Sequence, residues 1–174
     1  MDRIDENSPT VTAPVRPTLP QALLALLAVI LVIAGYLALC NAVNVREAYI
    51  GFIFVFYWMT LEQGKLRRVP AVLCGMLFGL AASWLLQYAT HPVQAALLGV
   101  FLLIVCASIV GLILGKLPLV FNAPAMLVLT VFTIPHLQQA ANFPLLFGAL
   151  AFSAAFFVGL VTVATKLAKR EQRA

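Results

Sequence analysis

The side chains that could support catalysis are few, and they border apolar stretches rather than lying within them. Glu47 and Glu62 each stand at the end of an apolar run, and His91 and His136 fall at the edges of two others. A hydrolase needs a nucleophile, a base and an orienting group within reach of one another. Two histidines without a third ligand make no metal site. We therefore expect no enzymatic activity, no metal and no cofactor.

The three cysteines and the missing buried carboxylates restrict the chemistry further. Cys40, Cys74 and Cys106 lie inside apolar runs without CxxC spacing, which we interpret as small core residues. Proton-coupled carriers generally place ionisable groups within the membrane. Since no carboxylate lies within an apolar run, we expect either passive movement of a solute or a site that needs no buried charge.

The fifth apolar run is the one that carries polar residues and a proline well inside it. Pro124 lacks a backbone N–H and disfavours a straight helix before it, which predicts an interrupted helix. Backbone polar groups that lose their helical partner within a membrane are tolerated where they are buried in protein or line a water-filled cavity. Transporters commonly build substrate sites from such interrupted helices. Two interpretations stay open: a proline kink with polar side chains bonded to backbone, or a substrate path. The path residues would be Asn122, Pro124, Thr130 and Thr133.

A second polar group precedes the second apolar run. Arg46 and Glu47 are adjacent, and they either form a surface ion pair or, together with His136, select charge at an outer vestibule.

These residues must be positioned by membrane helices. Hydrophobic residues make up 63% of the chain and charged residues 10%, whereas soluble domains carry about 25% charge. The net charge of +5 does not indicate nucleic acid, because the basic residues cluster at the ends of apolar runs. Retention in the cytoplasm and anionic lipid account for that placement. The expected partner is the lipid bilayer.

We predict an all-α polytopic membrane protein with six transmembrane helices, the fifth interrupted near Pro124. A disordered cytoplasmic tail (1–20) precedes the membrane domain (21–165), and a basic cytoplasmic tail (166–174) follows it. The six predicted helices cover about residues 21–43, 46–62, 70–88, 92–114, 117–134 and 143–165.

The orientation follows from the basic residues. On six crossings, all but one of the 11 Lys and Arg residues fall on one side, and Arg46 alone falls on the other. The positive-inside rule then places both termini in the cytoplasm. We expect the protein to lie in the bacterial inner (plasma) membrane. If the second or fifth run were a re-entrant loop, the basic C-terminal tail would lie outside, against that rule.

Small residues recur at every fourth position in the third and fourth runs. The two sets are Gly75, Gly79 and Ser83, and Ala107, Gly111 and Gly115. Such faces let helix backbones approach closely. They serve either packing within the chain or the interface of a homo-oligomer.

Two stretches resemble known families. The segment 57–68 (YWMTLEQGKLRR), with GMLFG at 75–79, resembles the uncharacterised small bacterial inner-membrane proteins of YcdZ type in its Gln-Gly element after a short aromatic span. It also resembles the six-helix membrane module of fusaric-acid-resistance and aromatic-acid-exporter proteins, which carry large soluble regions that these 174 residues do not. The second resemblance implies export of small aromatic organic acids. A shorter motif, LTVFTIP at 129–135, is similar to the urea-transporter signature Leu-Pro-x-x-Thr-x-Pro.

These patterns together predict a homo-oligomeric channel or facilitator that moves a small polar solute across the inner membrane without coupling. The first alternative is a non-transporting accessory or scaffold subunit, and a further one is an exporter of aromatic organic acids. A wet cavity lined by Asn122 and Thr133 would favour transport, and a dry, closed bundle would favour the scaffold.

Overall fold

The computed structural model describes residues 18–89 and 95–171, and all regular secondary structure within them is helical. The helices are α1 (Leu19–Ala42), α2 (Tyr49–Thr60), α3 (Val69–Ala89), α4 (Ala95–Ile113), α5 (Ala123–Phe132), α6 (Pro135–Ala140) and α7 (Phe143–Glu171), and a 3-10 turn, Leu66–Arg68, leads into α3. Most of the predicted N-terminal tail, His91 and the start of the predicted fourth span lie outside the described residues.

Within the described residues, four helices are long and apolar enough to cross a membrane. They cover Leu19–Ala42, Leu66–Ala89, Ala96–Ile113 and Phe143–Arg170. The second and fifth predicted spans contain shorter apolar helices of 12 and 10 residues. At about 1.5 Å per residue these are roughly 18 and 15 Å long, against a hydrocarbon core of about 30 Å. Neither helix alone is long enough to cross.

The chain divides into two compact units, one ending at Ala38 and the other beginning at Leu39. In the first unit, α1 exposes most of its Leu, Val and Ile side chains. This exposure suits a helix that faces lipid.

The second unit is organised around α3, which packs against α4, α5 and α7, while α2 packs chiefly against α7. Its buried aromatic core contains Trp58, Phe54, Phe132 and Phe143. A smaller apolar cluster of Ala82, Phe101 and Leu129 joins α3, α4 and α5. Cys40 is buried, as expected for a small core residue, whereas Cys74 and Cys106 are exposed, contrary to that interpretation.

The chain from Asn122 to Gln138 follows α3 over most of its length. At one end the Asn122 side chain donates to the Ala71 carbonyl (2.7 Å). At the other end Gln87 Nε2 donates to the carbonyls of Gln138 (3.1 Å) and Ala141 (3.2 Å). Ala71 and Gln87 lie about 24 Å apart along a helix. The segment therefore extends farther than α5 itself, with α6 supplying much of the difference.

Candidate functional site

The fifth predicted helix does not run through Pro124; it begins immediately before it. Asn122 has an extended backbone (φ −142°, ψ 171°) and its Oδ1 accepts a hydrogen bond from the Ala125 N–H (3.2 Å), which makes it the N-cap of α5. Pro124 lies in the first turn, where a missing N–H leaves no helical hydrogen bond unmade. The interruption predicted near Pro124 is thus the start of a short helix.

The other end of the Asn122 carboxamide joins α5 to α3. Its Nδ2 donates to the Ala71 carbonyl (2.7 Å) and lies within hydrogen-bond distance of the Pro118 (3.2 Å) and Leu119 (3.1 Å) carbonyls. One side chain therefore caps α5, holds the preceding turn and contacts α3. Both of its polar atoms are satisfied.

The small-residue face of α3 receives α5. A Cβ at Gly75 would lie 1.8 Å from Asn122 Oδ1, and one at Gly79 would lie 2.7 Å from the Ala125 carbonyl oxygen and 2.9 Å from Val128 Cβ. Close approach of the two helices therefore requires glycine at both positions. Ser83 is buried and donates to the Gly79 carbonyl (2.8 Å). This face makes contacts within the chain.

The three small residues of α4 have separate surroundings. Gly111 accommodates the Phe121 ring, because a Cβ there would lie 2.4 Å from Phe121 Cδ2. Ala107 is exposed. Gly115 has a left-handed backbone (φ 62°), and the Lys116 N–H donates to the Gly111 carbonyl (3.0 Å). That is the Schellman arrangement for ending a helix, so Gly115 terminates α4.

Thr130 and Thr133 lie apart from the Asn122 carboxamide. Both are exposed. Their hydroxyls donate to the carbonyls of Met126 (2.8 Å) and Thr130 (2.7 Å). They therefore satisfy their hydrogen bonds within their own helical turn, on a face of the protomer open to its surroundings.

The loop between α2 and α3 is held in a defined conformation. Trp58 is buried, and its Nε1 donates to the Lys65 carbonyl (3.0 Å), while the Gly64 N–H donates to the Trp58 carbonyl (3.0 Å). Gln63 and Gly64 both have left-handed backbones, with φ of 53° and 65°. The Gln-Gly element is therefore the tight turn that brings Lys65 back to the end of α2.

Two cavities open beside this loop, and both are lined in part by Arg68 and Ala71. The first, about 320 Å³, is lined by residues from the α2 end, the loop, α3, the end of α4, the turn before α5 and the first residues of α5. Its polar lining includes Tyr57, Glu62, Arg68 and Asn122. The second, about 750 Å³, is lined by Lys65, Arg67 and Arg68 together with Leu66 and Leu119. Arg68 Nε lies 3.5 Å from Glu62 Oε2.

No family model, curated protein or solved structure matches the chain. The resemblances to YcdZ-type proteins, aromatic-acid exporters and urea transporters remain expectations from short sequence motifs. In residues 18–89 and 95–171, no group of three His, Cys, Asp or Glu side chains could hold a metal ion.

The residues predicted to line an outer vestibule, Arg46, Glu47 and His136, form no ion pair with one another in the part of the chain that the structure describes. Arg46 is exposed and Glu47 is half-buried. Glu47 lies beside the Tyr49 side chain, close enough to interact with it. The Tyr49 ring lies 6.4 Å from that of Phe132. His136 is exposed on α6.

Two features of this region have local sequence signals: the start of α5 after Asn122 and the hydrogen bond of the Trp58 indole. An Asn directly before Ala-Pro is a helix-start pattern, because Asn favours the N-cap and Pro the first turn. A buried Trp needs an acceptor for its indole N–H, which for Trp58 is the Lys65 carbonyl. By contrast, no sequence pattern near Phe121 or Gly111 indicates that the Phe121 ring packs against Gly111.

Proposed function

We propose that the chain crosses the bacterial inner membrane six times, with α2 and α5 completed by their flanking segments. For the fifth crossing, the support is the path from Asn122 to Gln138 along α3. For the second, the support is that α2 begins near Phe132 and ends at the loop that borders Asn122. Both short helices then extend between the same two ends of the second unit.

The shared cavity supports the proposed orientation. The basic loop after α2 and the turn before α5 border the same 320 Å³ space, so their charges lie at one end of the unit. The positive-inside rule assigns this end to the cytoplasm, together with the basic C-terminal tail.

The protein acts as a passive channel or facilitator for a small polar solute, and the 320 Å³ cavity is its cytoplasmic vestibule. The observation that supports this function is the convergence of a carboxylate, a guanidinium and a carboxamide, from Glu62, Arg68 and Asn122, on one cavity of a largely apolar protein. Its volume is at the lower end of the range for small-molecule sites, about 300–1,000 Å³. Uncoupled movement agrees with the absence of carboxylates from the interior of the apolar runs.

We also propose that the protein forms a homo-oligomer. Thr130 and Thr133 are exposed, so a polar path that passes them runs outside the core of one protomer. Such a path would be enclosed only by a second copy packed on that face of α5.

Solute flux into proteoliposomes tests the function. The panel should include urea, small neutral polyols, small carboxylates and an aromatic carboxylate. Pro118→Trp places a large ring at the vestibule, because Pro118 lines it, and should abolish flux. Leu145→Trp is the control, since Leu145 is 52% exposed on α7, and should leave flux unchanged. Absence of flux for every solute, with tryptophan fluorescence showing a folded protein, would contradict the proposal.

A non-transporting accessory subunit is the second candidate, and the closed α3–α5 contact favours it. Asn122 has no free polar atom, and Gly79 leaves no space beside Val128. A stoichiometric second protein that co-purifies from native membranes, together with absent flux, would support this candidate. Flux by the purified chain alone would exclude it.

A further inference from the structure

The 750 Å³ cavity beside the loop is strongly basic. Of the residues that the structure describes, Lys65, Arg67 and Arg68 line it, and no acidic residue does. Arg68 forms an ion pair with Glu62, with Arg68 Nε 3.5 Å from Glu62 Oε2. Lys65 and Arg67 are exposed and form no ion pair within the described residues. Two uncompensated cations therefore border one open space.

The cations stand on a fixed loop rather than on a flexible tail. The Lys65 carbonyl accepts from the buried Trp58 indole (3.0 Å) and from the Arg68 N–H (3.0 Å). Arg67 belongs to the 3-10 turn that continues directly into α3. The backbone of both cations is thus set before any ligand binds, which lowers the ordering cost of binding.

Exposed leucines line the same cavity. Leu66 is 40% exposed and Leu119 is 54% exposed, and both face this space together with Pro70 and Ala71. A free inorganic anion would use the cations and leave these leucines in water. An amphiphile would use both surfaces, with its anionic group on the cations and its hydrocarbon on the leucines.

We propose that this cavity binds the phosphate group of an anionic phospholipid, with Lys65 and Arg67 as its main contacts and Leu66 and Leu119 beside the upper acyl chains. Guanidinium and ammonium groups bind phosphate through charge-assisted hydrogen bonds. The placement at a membrane edge gives the site access to lipid headgroups. This binding does not depend on whether the protein transports a solute.

Native mass spectrometry of the full chain, released from vesicles of phosphatidylglycerol and phosphatidylcholine with matched acyl chains, tests the proposal. The wild-type protein should retain phosphatidylglycerol preferentially. Lys65→Gln with Arg67→Gln should weaken that retention about 30-fold, which corresponds to about 1 kcal/mol for each cation near the surface. Lys169→Gln with Arg170→Gln removes the same charge from the exposed end of α7, outside the cavity lining, and should change retention little.

Two further variants separate a built site from general charge. Lys65→Arg with Arg67→Lys keeps the charge and should keep the lipid. Trp58→Phe keeps the apolar ring but removes the hydrogen bond to the Lys65 carbonyl, and should weaken retention without any change of charge.

Equal loss in the α7 control and the loop variant would overturn the proposal, since binding would then depend on total charge. Inorganic phosphate that binds at the loop without any preference for phosphatidylglycerol would assign the site to a soluble phosphate and contradict the lipid.

Discussion

Replacing Gly75 by alanine tests the contact on which the α3–α5 pairing depends. The new methyl group would lie 1.8 Å from Asn122 Oδ1 and 2.6 Å from its Cγ. The Asn122 side chain must move, because α3 cannot shift without losing its contact at Gly79. The displaced carboxamide gives up its bonds to the Ala125 N–H and the Ala71 carbonyl together.

The expected loss combines three terms. Removal of an Asn N-cap costs about 1 kcal/mol. A lost side-chain hydrogen bond between membrane helices costs about 0.6 kcal/mol or somewhat more. Overpacking a close contact adds at least about 1 kcal/mol. Gly75→Ala should therefore lower the free energy of unfolding by about 3 kcal/mol, and Asn122→Ala, which creates no clash, by about 2 kcal/mol.

Unfolding in mixed micelles with increasing SDS, followed by the fluorescence of the two tryptophans, measures these values. Gly99→Ala is the matched control, because Gly99 is also within a helix and a Cβ there meets nothing within 4 Å. It should be neutral or gain up to about 1 kcal/mol from helix propensity. In the double variant Gly75→Ala with Asn122→Ala, the methyl group occupies the space that the carboxamide leaves, so the total loss should stay near 2 kcal/mol, about 3 kcal/mol below the sum of the single losses.

Two outcomes would contradict this contact: a Gly75→Ala variant as stable as Gly99→Ala, or a double variant that loses the full sum of the single losses. Either outcome means that Asn122 does not occupy the space in front of Gly75.

Four other substitutions give expectations that the same unfolding assay checks. Gly115→Ala should lose about 1 kcal/mol because its φ of 62° is left-handed although the space around it is open; an unchanged stability would contradict the helix-ending role. Thr130→Val and Thr133→Val should each change stability by less than about 0.5 kcal/mol, since both side chains are exposed, and reduced flux with intact folding would indicate a path along them. Pro124→Ala should shift stability by less than about 1 kcal/mol, because its ring lies in the first turn of α5. A gain near 3 kcal/mol, as expected for relief of a proline within a helix, would contradict that placement.

Sequence reasoning located most of the helices and some of their ends. The predicted spans 70–88 and 143–165 correspond to α3 and α7, which cover Val69–Ala89 and Phe143–Glu171. Apolar composition is sufficient for this, because backbone polar groups in lipid must be paired within the helix itself. For α5 it was insufficient: Pro124 is compatible both with a break inside a helix and with the first turn of one. The N-cap bond of Asn122 distinguishes the two.

The composition and the placement of charges by themselves determined the class of protein, since neither depends on how the helices pair. Glycine spacing identified a face of α3 suited to close packing, but it did not indicate which helix packs against that face. Asn122 reaches the Ala71 carbonyl across 51 residues of sequence, and Trp58 bonds to Lys65 only because the loop turns back at Gly64. Contacts of this kind depend on the positions of whole helices relative to one another. For that reason only the tertiary structure placed Asn122 in a closed helix contact, the two threonines on the outside, and the basic loop around a cavity.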